Sequence, residues 1–166
     1  MSATTPITVD SIVDALRSTL KLALEECFEK HHGYMLDPGE HLFATLDGIS
    51  AAEASAPVSS NGTNIAAQVN HTRFYIDAIL DTARTGEYKK LDWNSSWQIG
   101  AVDDAEWQAL IAGLRRAYDE VASLAAGFDD WNAETIGGAI GLVAHSMFHL
   151  GQIREGITVV RDRGVS

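Results

Sequence analysis

The chain has 166 residues, 46% of them hydrophobic, which is enough for one globular core and too few to require a second. Its 12 basic and 23 acidic side chains leave a net charge of −11, which argues against phosphate-backbone binding and supplies no basic stripe for an anionic membrane. No nucleic-acid or membrane partner is expected; a neutral or cationic partner is easier to admit, but acidity alone usually reports solubility.

The N-terminal Met1-Ser2-Ala3-Thr4-Thr5-Pro6 has neither a basic nor an apolar stretch and does not read as a signal peptide. No apolar run reaches membrane-spanning length. The single cysteine, Cys27, cannot form an internal disulfide and fits a reducing, cytoplasmic setting, where its ordinary role is that of a small core residue.

The periodicity is helical almost throughout. Ile12, Leu16, Leu20, Leu24 and Phe28 recur at fourfold spacing, widened by Val13 and Cys27, and predict an amphipathic helix from about Val9 to Lys30. Asp37-Pro38-Gly39-Glu40 has capping-box spacing with proline at the first helical position, and Gly48 offers a stop, so a short helix is expected between them. Ser50 to Asn64 is poor in large apolar residues and reads as a connection holding at most one helical turn.

A second long helix starts near Thr63 or Asn64, carries Ile65, Val69, Ile76 and Leu80 on one side, and ends before Gly86. Glu87 to Val102 is an irregular connection whose Trp93 and Trp97 are expected to fold back on the body. Asp103-Asp104-Ala105-Glu106 is a second capping box, opening a helix through Trp107, Leu110, Leu114, Tyr118, Val121 and Leu124 to Gly127. The last helix begins after Trp131 or Asn132 and reaches about Arg161, with Ile136, Ile140, Val143, Met147, Leu150 and Ile157 at core spacing. The expectation is an all-α fold: a single domain over residues 1–166, built as a four-helix bundle with a long crossover connection between helices 1 and 2.

His145 and His149 lie four residues apart on the last helix, so their rings share a face one turn apart, the spacing at which two imidazoles grip one divalent metal. Ser146 follows His145, so the glutamate of a zinc-protease H-E-x-x-H is absent. A third ligand must come from elsewhere. His31 and His32 at the end of the first helix and His41 among polar residues read as solvated, whereas His71 lies on a helix whose other face is aliphatic and can face the pair. Three imidazoles leave positions for water or substrate, as a catalytic site requires. Gly137, Gly138 and Gly141 each cost the helix roughly 1 kcal/mol against alanine, so the missing side chains should serve either close helix contact or a substrate cavity.

Asn64-Ile65-Ala66-Ala67-Gln68-Val69-Asn70-His71 and His145-Ser146-Met147-Phe148-His149-Leu150-Gly151-Gln152-Ile153 carry a resemblance to a known family. With Thr45-Leu46-Asp47-Gly48-Ile49-Ser50 before the polar connection, nearly the whole chain resembles the DinB-like (DinB/YfiT-like) metal-binding four-helix bundles. The resemblance implies a divalent metal, commonly zinc or nickel, held by His71, His145 and His149. Members include transferases acting on low-molecular-weight thiols and a thiol-dependent isomerase, so it also implies a metal-dependent thiol S-transferase, with a small-molecule substrate and a homodimer among the expected partners.

Gln152 and Arg154, just after His149, are candidates for orienting a cofactor, and Tyr75 for a hydrogen bond beside the metal, against plain packing. Two alternatives stand beside the transferase: a metal-dependent hydrolase, and a non-catalytic stress-related binding or scaffold protein. Exposed Trp107 or Trp131 would favour the scaffold; buried, they are simply core.

Overall fold

A computed structural model describes residues 8–165; the expectation about the N-terminal six residues lies outside that range. The described residues are all-helical apart from one isolated bridge between Pro57 and Asn64. Four helices are long: α1 (Val9–Phe28), α4 (Ile65–Thr85), α5 (Asp104–Gly127) and α6 (Ala133–Asp162). Two are short, α2 (Leu42–Asp47) and α3 (Ala51–Ser55), and a 3₁₀ turn spans Trp93–Trp97. No helix among the described residues is long and apolar enough to cross a membrane.

Local chemistry sets most boundaries. Thr8, Asn64, Asp103 and Asn132 cap the four long helices with side-chain oxygens that accept backbone N–H groups otherwise left unpaired. The Asp103/Glu106 capping box forms as its spacing predicts, and Gly86 ends α4 in the left-handed conformation, φ 70°. Another reciprocal box, Ser50 with Glu53, starts α3.

The motif at Asp37-Pro38-Gly39-Glu40 behaves differently. Gly39 takes φ 84°, and the Glu40 N–H donates to the Asp37 carbonyl at 3.1 Å, so these residues make a reverse turn with proline and glycine at its corners. The helix starts later, at Leu42, capped by His41, whose Nδ1 accepts from the Ala44 N–H at 3.3 Å. His41 is thus a half-buried cap, not a solvated side chain. His32 is also engaged, its Nε2 lying 2.7 Å from Glu25 Oε2.

Side-chain contacts fix the helix directions. Arg115 pairs with Glu29 and Lys21 reaches the Ala126 carbonyl, so α1 and α5 run antiparallel. Tyr75 lies against Gly141 and Ile65 against Gly156, so α4 and α6 are antiparallel too. Arg73 covers Gly113 and Arg84 pairs with Glu120, which makes α4 and α5 parallel neighbours.

One end of the molecule therefore gathers the end of α1 and the starts of α4 and α5. Phe28 meets Phe43 of α2 there, the Trp107 indole donates to the Ile49 carbonyl at 2.8 Å, and Arg161 of α6 pairs with Glu53 of α3. This corrects the expected position of the crossover. The connection from α1 to α4 stays at one end, while residues 86–103 return along α4, about 30 Å of helix, because parallel neighbours cannot be joined by a tight turn.

The core lies toward the end that α2 and α3 cover. Trp107, Phe28, Leu42, Leu46, Ile65, Ile76, Leu114, Leu150 and Ile153 are all under 2% exposed, and Phe28 stacks on Tyr118 with ring centroids 4.7 Å apart. Trp107 is core and Trp131 is half-buried, its indole donating to the Phe128 carbonyl. At the far end no short helix among the described residues covers the bundle ends, and two expected core residues stand out in solvent: Ile12 is 53% exposed and Ile140 50%.

Glu26, fully buried at the end of α1, was not anticipated. Its carboxylate accepts backbone N–H groups from His32, Gly33, Tyr34 and Met35 at 2.8 to 3.2 Å. Burial works to raise its pKa, but the backbone N–H donors outweigh it and hold the group below its ordinary value. One carboxylate thereby folds the chain leaving α1.

Candidate metal centre

His71 projects from the buried first half of α4, and His145 and His149 from the middle of α6. The antiparallel packing of these two helices brings residues 74 positions apart into contact. His145 Nε2 lies 3.2 Å from His71 Nε2 and 3.2 Å from His149 Nε2. Metal–nitrogen bonds of ordinary length place donor atoms about 3.3 Å apart in a tetrahedral shell and about 2.9 Å apart in an octahedral one. Both separations fit that range, and all three donor atoms lie within 4.8 Å of one another, so the cluster can hold a metal ion.

The outer nitrogens decide where the protons sit. The Ser96 hydroxyl donates to the Trp93 carbonyl oxygen at 2.6 Å and therefore accepts from His71 Nδ1–H, also at 2.6 Å. His149 Nδ1–H donates to Gln68 Oε1 at 2.7 Å. Both rings thus carry their proton on Nδ1 and aim an Nε2 lone pair at His145 Nε2. A neutral His145 with its proton on Nε2 can satisfy only one of them, whereas a cation at the centre satisfies all three. His145 Nδ1 is buried with no hydrogen-bond partner, so no protein group dictates its tautomer.

Electrostatics favour the neutral rings that metal binding needs. Burial, then the neighbouring His71 ring, pulls His145 down to about 4. Burial, then His145 and His71, takes His149 to about 3, and burial lowers His71 as well. At neutral pH all three are unprotonated donors.

Aromatic rings wall the cluster. Trp97 stacks on His71 with centroids 4.0 Å apart, and Tyr75 stacks on His145 at 3.7 Å. Trp97 is delivered by the 3₁₀ turn that the returning connection lays along α4, where Asn70 Nδ2 holds the Ser96 carbonyl at 2.8 Å. The expectation that Trp97 folds back is met; Trp93 edges onto His71 and Phe74 but stays 41% exposed.

A cavity of about 600 Å³ adjoins the cluster on the side of His149, Gln68 and Trp97, and continues along α6 past Gln152 to Gly156 and Val159. It lies downstream of the histidines, not over the upstream glycines. Gly137 and Gly138 are exposed with open space around them, and a side chain at Gly141 would meet the Tyr75 hydroxyl, 3.3 Å from the Cβ position. Gly141 serves close helix contact. At Gly156 a Cβ would come within 3.1 Å of Val58, so that glycine lets the 58–63 turn close the cavity floor.

Of the other sequence candidates, Gln152 lines the cavity. Tyr75 touches His145 through its ring face rather than through a hydrogen bond. Arg154 is not brought to the site: it pairs with Glu40, near the α1–α2 connection. Gln68 and Ser96 were missed as functional residues. Gln68 carried a readable signal, lying three residues before His71 on the same helix face. Ser96 carried none, because an irregular connection has no period that places a hydroxyl beside a distant histidine.

Comparison of the chain with protein-family models, with curated proteins and with solved structures gives no match.

Proposed function

We propose that this chain is a divalent-metal protein of the DinB-like kind, a four-helix bundle whose crossover is the α4–α5 connection, acting as a metal-dependent transferase on a low-molecular-weight thiol. The observation that carries the reading is the convergence of three Nε2 atoms, two with their tautomers set by Ser96 and Gln68, beside a cavity that opens at His149. Zinc or nickel suits three neutral imidazoles.

His71, His145 and His149 would hold the ion. When bound, it supplies the Lewis acidity that keeps a thiol deprotonated near neutral pH. Ser96 and Gln68 keep two of the rings oriented, and outer hydrogen bonds of this kind fix ligand geometry as well as basicity. Trp97 and Tyr75 shield two of the rings from water. Gln152 lies on the cavity wall and would hydrogen-bond a cofactor bound there. Buried, free Cys27, whose thiol burial pushes up to about 12, takes no part in the chemistry and accords with a cytoplasmic setting.

The same open site also suits a hydrolase, which would turn over without any thiol. A dimeric scaffold draws on the exposed Ile140 and Phe148 of α6, but buried Trp107 removes one of its supports. The test is to incubate metal-loaded protein with a panel of small thiols and electrophiles. Thiol conjugation that disappears when the metal is removed is the expected result, and no metal-dependent conjugation with any pair contradicts the transferase reading.

A further inference from the structure

The cavity beside His149 has a one-sided electrostatic lining. Glu155 is its only charged wall residue among the described residues, beside amide and hydroxyl groups such as Gln152, Ser59 and Asn61 and the rings of Trp97 and Phe148. Three arginines lie close by in sequence, Arg154 and Arg161 on α6 and Arg163 just past its end, and none lines the cavity, each being held by a specific partner. Arg154 pairs with Glu40, Arg161 with Glu53 and the Gly48 carbonyl, and Arg163 donates to the Pro57 carbonyl at 2.7 Å. Glu155 has no ion-pair partner among the described residues and remains exposed.

A carboxylate with no ion-pair partner among the described residues, in a chain of net charge −11, repels anions and attracts cations. Its position adds a length. Glu155 follows His149 by six residues, about 9 Å along the helix. Six residues also turn Glu155 about 120° around the helix from His149, so a ligand reaching from the histidine cluster to this carboxylate needs its cationic group at least about that axial distance from the atom at the cluster.

From this lining we propose that the cavity takes an amine-bearing small molecule, with Glu155 as the residue that selects the ammonium group. The proposal rests on the metal-site reading for what happens at the near end of the ligand; the far end rests on the cavity alone. A glutathione-like ligand carrying surplus carboxylates meets no cation here.

The test separates the two ends by calorimetry at low ionic strength. With metal-loaded protein, 6-amino-1-hexanethiol is compared with 6-mercapto-1-hexanol and 6-mercaptohexanoic acid. With the same protein and with a metal-free His145→Ala variant, hexylamine is compared with hexanoate. An exposed charge pair supports about a two- to fivefold preference. We expect the amine to bind tighter than the alcohol by that factor, the acid to bind weakest, and the order to survive in the hexylamine arm without metal.

Glu155→Gln should erase the preference while leaving metal content unchanged, and Glu155→Lys should reverse it. Equal binding of amine and acid to the wild-type protein overturns the proposal, as does a preference that persists in Glu155→Gln. If no metal loads, or the thiols gain nothing over hexylamine, the metal-site reading fails. The hexylamine arm still decides for or against Glu155.

Discussion

His71 and His145, 74 residues apart in the chain, face each other through their Nε2 atoms at 3.2 Å, and a hydrogen bond donated by His71 Nδ1–H to Ser96 turns the His71 lone pair inward. An unprotonated nitrogen fixed toward a second ring is costly unless something positive lies between them. Hydrogen bonds outside the cluster thus prepare its interior.

Ser96→Ala and Gln68→Leu should each weaken metal binding by about ten- to a hundredfold, since outer partners of metal-ligating histidines act on affinity through orientation and basicity. Competition with a chromogenic chelator reads the constants, and circular dichroism should show unchanged helicity. Wild-type affinity in both variants would mean that the tautomers are set some other way.

Acid should destabilise the metal-free protein well above the carboxylate range. His145 and His149 titrate at about 4 and about 3 when folded, against an ordinary value of 6.5. Between these limits the unfolded chain binds more protons, so stability rises with pH across the window and is lost as pH falls below about 6.5. The lowered carboxyls of Glu26 and Glu53 add stability that disappears only as pH falls below about 4.5. Melting temperature should therefore drop between about pH 7 and pH 5, and drop less in a His145→Ala, His149→Ala variant. Equal slopes in the two proteins would rule out the histidines as the cause.

Gly137→Ala and Gly138→Ala should stabilise the fold by about 0.5–1 kcal/mol each, because both lie inside α6 with none of the described residues within 4 Å of an added Cβ. Denaturant unfolding measures the gain. A loss would show that these glycines pack against something beyond the described residues, such as a second copy.

The sequence carried the long helices because their ends are written in local chemistry, with Asn64, Asp103 and Asn132 as caps and Gly86 as a stop. The histidines were legible for a similar reason: a four-residue spacing on one helix says where two rings point. Gly39 shows the limit of such motifs, since the same four residues that resemble a capping box also make a reverse turn, and a positive φ decided the outcome. Ile12 and Ile140 show another. Periodicity gives the apolar face of a helix but not where a neighbouring element stops covering it. Helix direction was also hidden, because two long connections of similar polarity leave open which one crosses. Arg154 follows His149 closely in sequence, yet the Glu40 carboxylate captures it on another face of α6.

The most direct measurement is elemental analysis of the purified protein alongside His149→Ala and the His71→Ala, His145→Ala double variant. The three-histidine centre predicts about one divalent ion per chain in the wild type, with loading abolished in His149→Ala and in the double variant while helicity is retained. Full metal content in the double variant would contradict it.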